Sequence, residues 1–177
     1  MFSAINGTVK NVSITNDKGT GNFSFTTYFA GVIRNATIEN VYVDANYDLS
    51  LSVTTDQTSP SRYVSAIVGS TFKNCIFVDK TTDADYISLA KYISGTPSFT
   101  DCYFISGAKV GQLYVDGGWK VHDASNQTAN YTIAGIKRYE SATAMEEAEV
   151  NNTFTSFAES GYWTVETGKA PVWKTKA

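Results

Sequence analysis

The chain holds one histidine, two cysteines and two methionines in 177 residues, and it has no run of lysines and arginines. Its single histidine, His122, sits between Asp116 and Asp123 in sequence, with no partner nucleophile or base at a readable spacing. It reads as a solvated loop residue, because general acid–base work needs a partner within hydrogen-bond reach. Two cysteines with no histidine beside them do not make a metal site of known ligand spacing, so neither a metal nor a cofactor is expected. A net charge of −3 without clustered cations argues against nucleic acid, whose phosphates must be neutralised, and against anionic membrane surfaces. No apolar run approaches the ~20 residues of a membrane helix, and no membrane insertion is expected.

The chain is long enough, with 42% hydrophobic residues, to build one continuous core. The start, Met1 to Asn6, lacks the basic and apolar regions of a signal peptide. Phe2 to Ile14 already reads as the interior of a repeat with no capping element ahead of it. The expectation is therefore a piece of a longer, exported protein. A low charged fraction of 18% and an abundance of Thr, Ser, Asn and Tyr suit an extracellular surface. Seven Asn-x-Ser/Thr triplets, at Asn6, Asn11, Asn22, Asn35, Asn126, Asn130 and Asn151, are what such a composition generates by chance.

What the chain has is a phrase written four times: Thr8-Val9-Lys10-Asn11-Val12-Ser13-Ile14, Thr37-Ile38-Glu39-Asn40-Val41-Tyr42-Val43, Thr71-Phe72-Lys73-Asn74-Cys75-Ile76-Phe77 and Ser98-Phe99-Thr100-Asp101-Cys102-Tyr103-Phe104. The starts at 8, 37, 71 and 98 lie within the spacing of structural repeats. Apolar residues follow period two with one slip, across Lys10-Asn11 and its counterparts. The slip marks a bend, placed at Asn11, Asn40, Asn74 and Asp101, since Asn and Asp tolerate a left-handed backbone and cap their own turns. Stacked, these side chains form a ladder of amide hydrogen bonds at structural corners.

A second apolar stretch precedes each phrase (Phe2–Gly7, Phe29–Ile33, Val64–Gly69, Ile93–Gly95), and a third lies at Phe23–Thr27, Leu49–Val53 and Tyr86–Leu89. Three strands per repeat predict an all-β fold, a right-handed parallel β-helix (solenoid) of about four coils over residues 1–107. Residues 108–177 read as a C-terminal cap on the last coil, all within one domain. The cap comprises a hairpin around Asp116-Gly117-Gly118, a strand at Tyr131–Ile136, a helix opened by a capping box at Thr143–Glu146, and an aromatic tail.

Ala-Gly-Val-Ile or Ala-Ile-Val-Gly followed by Thr-Phe-Lys-Asn-Cys resembles the GLUG-type repeats of bacterial surface proteins, and more broadly the pectate-lyase-like parallel β-helices. The closing Phe-x-Ser-Phe, Trp and Pro-x-Trp segment is similar to one that follows such repeats. The resemblance runs from about Phe2 to Trp173. It implies stacked parallel strands on a cell surface and no particular activity, since similar proteins serve as stalks, adhesins, polysaccharide lyases and phage spikes.

Cys75 and Cys102 share the inward position of Val12 and Val41, which predicts adjacent buried thiols; a bridge between them stays open. Asp79, Asp83 and Asp85 form an acidic turn with neither the glycine nor the terminal glutamate of a calcium loop. The outward position after the bend carries Ser13, Tyr42, Ile76 and Tyr103, and Tyr42, Ile76 and Tyr103 are the candidate binding residues for a polysaccharide or a cell-surface protein. The plainer reading is that another segment covers this stripe. Taken together, the sequence points to a non-enzymatic stalk, adhesin or glycan-binding module. The alternatives are a polysaccharide-degrading lyase or glycosidase using Asp79, Asp83, Asp85 or Asp101, and a phage or fibre spike.

Overall fold

In the first three repeats the chain runs one parallel strand in a first sheet, turns over two residues, and runs a second parallel strand in another sheet. The computed structural model describes residues 2–15, 27–45, 61–79, 87–94, 97–106, 113–115, 118–120 and 135–174. The first sheet contains β1 (Phe2–Ile5), β3 (Thr27–Arg34), β5 (Ser61–Val68), β7 (Ile87–Ser94) and β10 (Leu113–Val115) in that order, closed by β11 (Gly118–Lys120) antiparallel to β10. The second contains β2 (Thr8–Thr15), β4 (Thr37–Ala45), β6 (Thr71–Asp79), β9 (Cys102–Ser106) and β12 (Ile136–Tyr139), with the short β8 (Ser98–Thr100) also on β6.

Pairing in the second sheet holds one register throughout. Val9 lies opposite Ile38, Ile38 opposite Phe72 and Phe72 opposite Phe99. Past the bend, Ile14, Val43, Phe77 and Phe104 line up in the same way. The turns between sheets repeat too: the Thr37 amide donates to the Gly7 carbonyl, Thr71 to Ala36 and Ser98 to Ser70, at 2.9, 2.8 and 3.0 Å. Inward residues of both sheets share one core, in which Phe29 of β3 meets Phe77 of β6 edge-on at 6.3 Å and Phe72 stacks on Phe99 at 4.6 Å. Cys75 and Cys102 are buried there as free thiols. Burial, with Cys102 beside it, pushes the Cys75 thiol well up.

The expected right-handed parallel β-helix is corrected by this topology. The parallel strands form two flat, stacked sheets with two described strands per repeat, and no third face closes a coil among the described residues. Two physical errors lie behind the expectation. The stretches Tyr86–Leu89 and Ile93–Gly95 are not separate strands, because Ile87–Ser94 is one strand. At Asn11, Asn40 and Asn74 the strands β2, β4 and β6 run on through a single left-handed residue, at φ 60°, 52° and 52°, whereas at Asp101, with φ 50°, the chain bends between β8 and β9. Phe23–Thr26 and Leu49–Val53 lie outside the described residues.

Strands beyond residue 107 join both sheets. The hairpin extends the first sheet and β12 extends the second, where Ile136 lies opposite Cys102 and Tyr139 opposite Ile105. Among the described residues, Gly135 to Tyr139 thus continue the phrase as a fifth copy from its bend onward, with Gly135 at the bend position and Arg138 opposite Phe104. Gly135 has φ 85°, and a Cβ there would run into the Phe99 carbonyl.

Residues 140–174 form a layer of their own: α1 (Ala142–Ala148), α2 (Thr155–Ser160) and the two-stranded pair β13 (Trp163–Thr164) and β14 (Val172–Trp173). The helix start differs from the predicted box, since Ser141 is the N-cap and its Oγ accepts from the Ala144 amide at 3.0 Å. Glu146 is used elsewhere: it accepts from Lys169 Nζ at 3.0 Å and from the Ala170 amide. The layer packs across the outer face of the second sheet.

Gly135→Ala should lower stability by more than about 1 kcal/mol, because a positive φ and a close carbonyl both oppose a methyl group there. Thermal unfolding compared with Gly161→Ala, where a Cβ meets nothing within 4 Å, isolates the steric part.

Candidate functional site

The polar chemistry of the repeats converges on the bend. A left-handed residue in the same register of each strand aligns the side chains along the sheet, and Asn supplies both a donor and an acceptor. Asn40 Nδ2 donates to Asn11 Oδ1 at 3.0 Å, and Asn74 Nδ2 donates to Asn40 Oδ1 at 3.2 Å. The ladder then meets Asp101, which has the same left-handed backbone (φ 50°) and no amide to give. Asn74 Oδ1 is consequently buried without a hydrogen-bond partner among the described residues. Asn74 Nδ2 also donates to the Ser156 carbonyl of α2 at 3.0 Å, tying the ladder to the C-terminal layer.

Alongside the ladder runs a cleft of about 370 Å³. One wall is Lys10, Asn11, Glu39, Asn40, Lys73 and Asn74, and the other is Ser156, Glu159, Ser160 and Tyr162. Lys10 and Glu39 pair at 2.5 Å across the outer face. Tyr162 stacks on Trp173 with ring centres 5.8 Å apart, and its amide donates to Ser160 Oγ.

The predicted binding stripe lies elsewhere on that face and is covered. Ile76 is 1% and Tyr103 3% exposed, and Tyr42 is half-buried. Trp163 meets Tyr42 edge-on at 5.9 Å, while Phe154 and Phe157 pack against Tyr103. The stripe is therefore the floor of a second apolar core with Met145, Phe154, Phe157 and Trp163, and not an open platform. Burial pushes the Tyr42 and Tyr103 phenols well above their ordinary values, helped by Asp44 beside the first and by Glu149 and Asp101 near the second.

Sequence reasoning missed the polar knot at the rim of this core. Glu149, 8% exposed, takes Lys137 Nζ and Tyr139 Oη on Oε1, both at 2.5 Å, and Asn152 Nδ2 on Oε2 at 2.7 Å. Lys137 occupies the outward position of Tyr103 in the fifth copy, so recognising that copy would have placed it. Burial works to raise the Glu149 carboxyl, but the three donors and the Lys137 charge outweigh it and hold the group below the usual glutamate range.

Of the other candidates, Asp83, Asp85 and His122 lie outside the described residues, as does the side chain of Asp79, whose backbone ends β6. Among the described residues no group of three or more His, Cys, Asp or Glu is placed to hold a metal ion, and no helix is long and apolar enough to cross a membrane. Comparison with family models, curated proteins and solved structures finds no match.

Two outcomes follow from this geometry. Asp101→Asn should stabilise the protein by about 0.5–1.5 kcal/mol by adding the missing rung over Asn74 Oδ1, whereas Asn74→Ala should cost about 1–3 kcal/mol; denaturant unfolding measures both. Because the Glu149 carboxyl is depressed in the fold, its contribution is complete above the unfolded value near pH ~4.3 and is lost as the pH falls through the lower folded value. Glu149→Gln should flatten the acid limb of stability against pH, and an unchanged limb would contradict the knot.

Proposed function

We propose that this chain is a non-enzymatic structural module of a larger, exported bacterial surface protein, of the stalk or adhesin kind. The observation that carries this reading is where the repeats spend their side chains. The row Tyr42, Ile76 and Tyr103, which an open sheet would offer to a ligand, is consumed in a core with the chain's own C-terminal layer. The amides at the bend bond to one another, and the buried carboxylate Glu149 is held by three donors.

Residues used in this way give cohesion to a rigid body. The likeness of the phrases to GLUG-type repeats belongs with the same reading, as does a composition rich in Thr, Asn and Tyr and poor in charge. The outer strands also favour a module built for contact with further β structure. Phe2 is 39% exposed, and Val9, Val12 and Ile14 are half-buried on the edge strand β2.

The test is catalytic. The purified chain, incubated with a panel of plant, host and bacterial polysaccharides, should release no new sugar ends. Release above a heat-denatured control would overturn the structural reading and turn attention to Asp79, Asp83 and Asp85.

A further inference from the structure

We propose that the cleft beside the amide ladder is a binding site for a neutral oligosaccharide. The stripe first expected to bind is buried, so this is a different surface, and its chemistry can be read wall by wall. The inner wall repeats with the strands: Lys10, Glu39 and Lys73 on one row, Asn11, Asn40 and Asn74 on the next, in register at a spacing of ~4.8 Å. The outer wall is contributed by the C-terminal layer through Ser156, Glu159, Ser160 and Tyr162.

Charge narrows the ligand class first. The lining holds two lysines and two glutamates, with Lys10 and Glu39 already paired at 2.5 Å. A cleft with balanced charge creates no net field to concentrate a polyanion such as a uronate or sulfated polymer, or a polycation. Apolar ligands are disfavoured next, because apart from the Tyr162 ring the walls are amides, carboxylates, ammonium groups and hydroxyls, which give little apolar burial. What remains is a ligand dense in groups that both donate and accept.

Sugar hydroxyls have that property. Hydrogen bonds from hydroxyls to carboxylates and from ammonium groups to hydroxyls are charge-assisted and stronger than neutral ones. Lys73 and Glu159, both exposed, supply one of each sign, and Tyr162, braced by its stacking on Trp173, adds an aromatic residue to the lining. The volume of about 370 Å³ is at the small end of ligand sites. Three rungs span about 10 Å at the strand spacing, the length of roughly two sugar rings laid along the sheet. The inner wall is pre-organised, since the ladder holds Asn11, Asn40 and Asn74 together and Asn74 is fastened to Ser156.

The experiment is a titration of the isotope-labelled full chain, followed by NMR, with the tetrasaccharides of cellulose, xylan, mannan and chitin, and with tetragalacturonate as the acidic counterpart. At least one neutral tetrasaccharide should shift the resonances of Asn40, Asn74 and Tyr162 saturably, and tetragalacturonate should bind more weakly. Lys73→Ala combined with Glu159→Ala should weaken that binding about tenfold or more while leaving the melting temperature in place. The proposal is overturned by the absence of saturable shifts at millimolar concentrations of all four neutral sugars, by a preference for the acidic one, or by shifts that map outside the cleft. Should the double variant unfold, the map of shifts on the unmodified chain still decides.

Discussion

Each repeat places a left-handed residue at the same register position of the second sheet, within β2, β4 and β6 and just ahead of β9 and β12, and L-residues resist that backbone by roughly 1–2 kcal/mol each. Asn meets the requirement in three successive repeats, and stacking in register lets each amide donate to the one before it. A slip of one residue would break the ladder and turn Val12, Val41 and Cys75 from the core to the outer face. The local cost at the bend and the long-range order of the sheet are thus one constraint, and the shared core of the two sheets follows from it.

The second consequence is that the sheet has two buried faces. Its inner side packs on the first sheet and its outer side on residues 140–174, as in parallel sheets covered on both sides. The sequence carries a mark of this. Cys75-Ile76-Phe77-Val78 and Cys102-Tyr103-Phe104-Ile105 are continuous apolar runs, whereas Val12-Ser13-Ile14-Thr15 alternates. The cover lies over the later repeats, and the first strand keeps a polar outer row. Where the cover ends, its α2 and the ladder enclose the polar cleft.

How much of this was legible follows from which signals are local. The repeat, its register and the special role of Asn11, Asn40, Asn74 and Asp101 could be read directly, because in-register stacking writes the same residue type at the same position. The fold class could not, because a two-residue gap between apolar positions reads equally well as a corner or as a left-handed kink inside one strand. Only the pairing of β4 and β6 on both sides of the kink tells them apart. The fifth repeat was hidden by Gly135 and Arg138, which depart from the phrase where the sheet no longer needs an amide or a core residue. The covering of Tyr42, Ile76 and Tyr103 was invisible to periodicity, since it depends on where Phe154, Phe157 and Trp163 land after the chain turns back. The cleft was missed for the same reason: its two walls are more than 80 residues apart in sequence at Asn74 and Ser156.

The central claim is that the amide ladder from Asn11 to Asn74 is a protected hydrogen-bonded element that sets the register of the second sheet. Hydrogen exchange of the asparagine side-chain amides in the intact chain, resolved by NMR, tests it most directly. The Nδ2 protons of Asn40 and Asn74 should exchange as slowly as the backbone amides of β4 and β6, and far more slowly than those of the exposed Asn151. Exchange of Asn40 and Asn74 at the rate of Asn151, with the backbone amides still protected, would show a sheet that holds its register without the ladder.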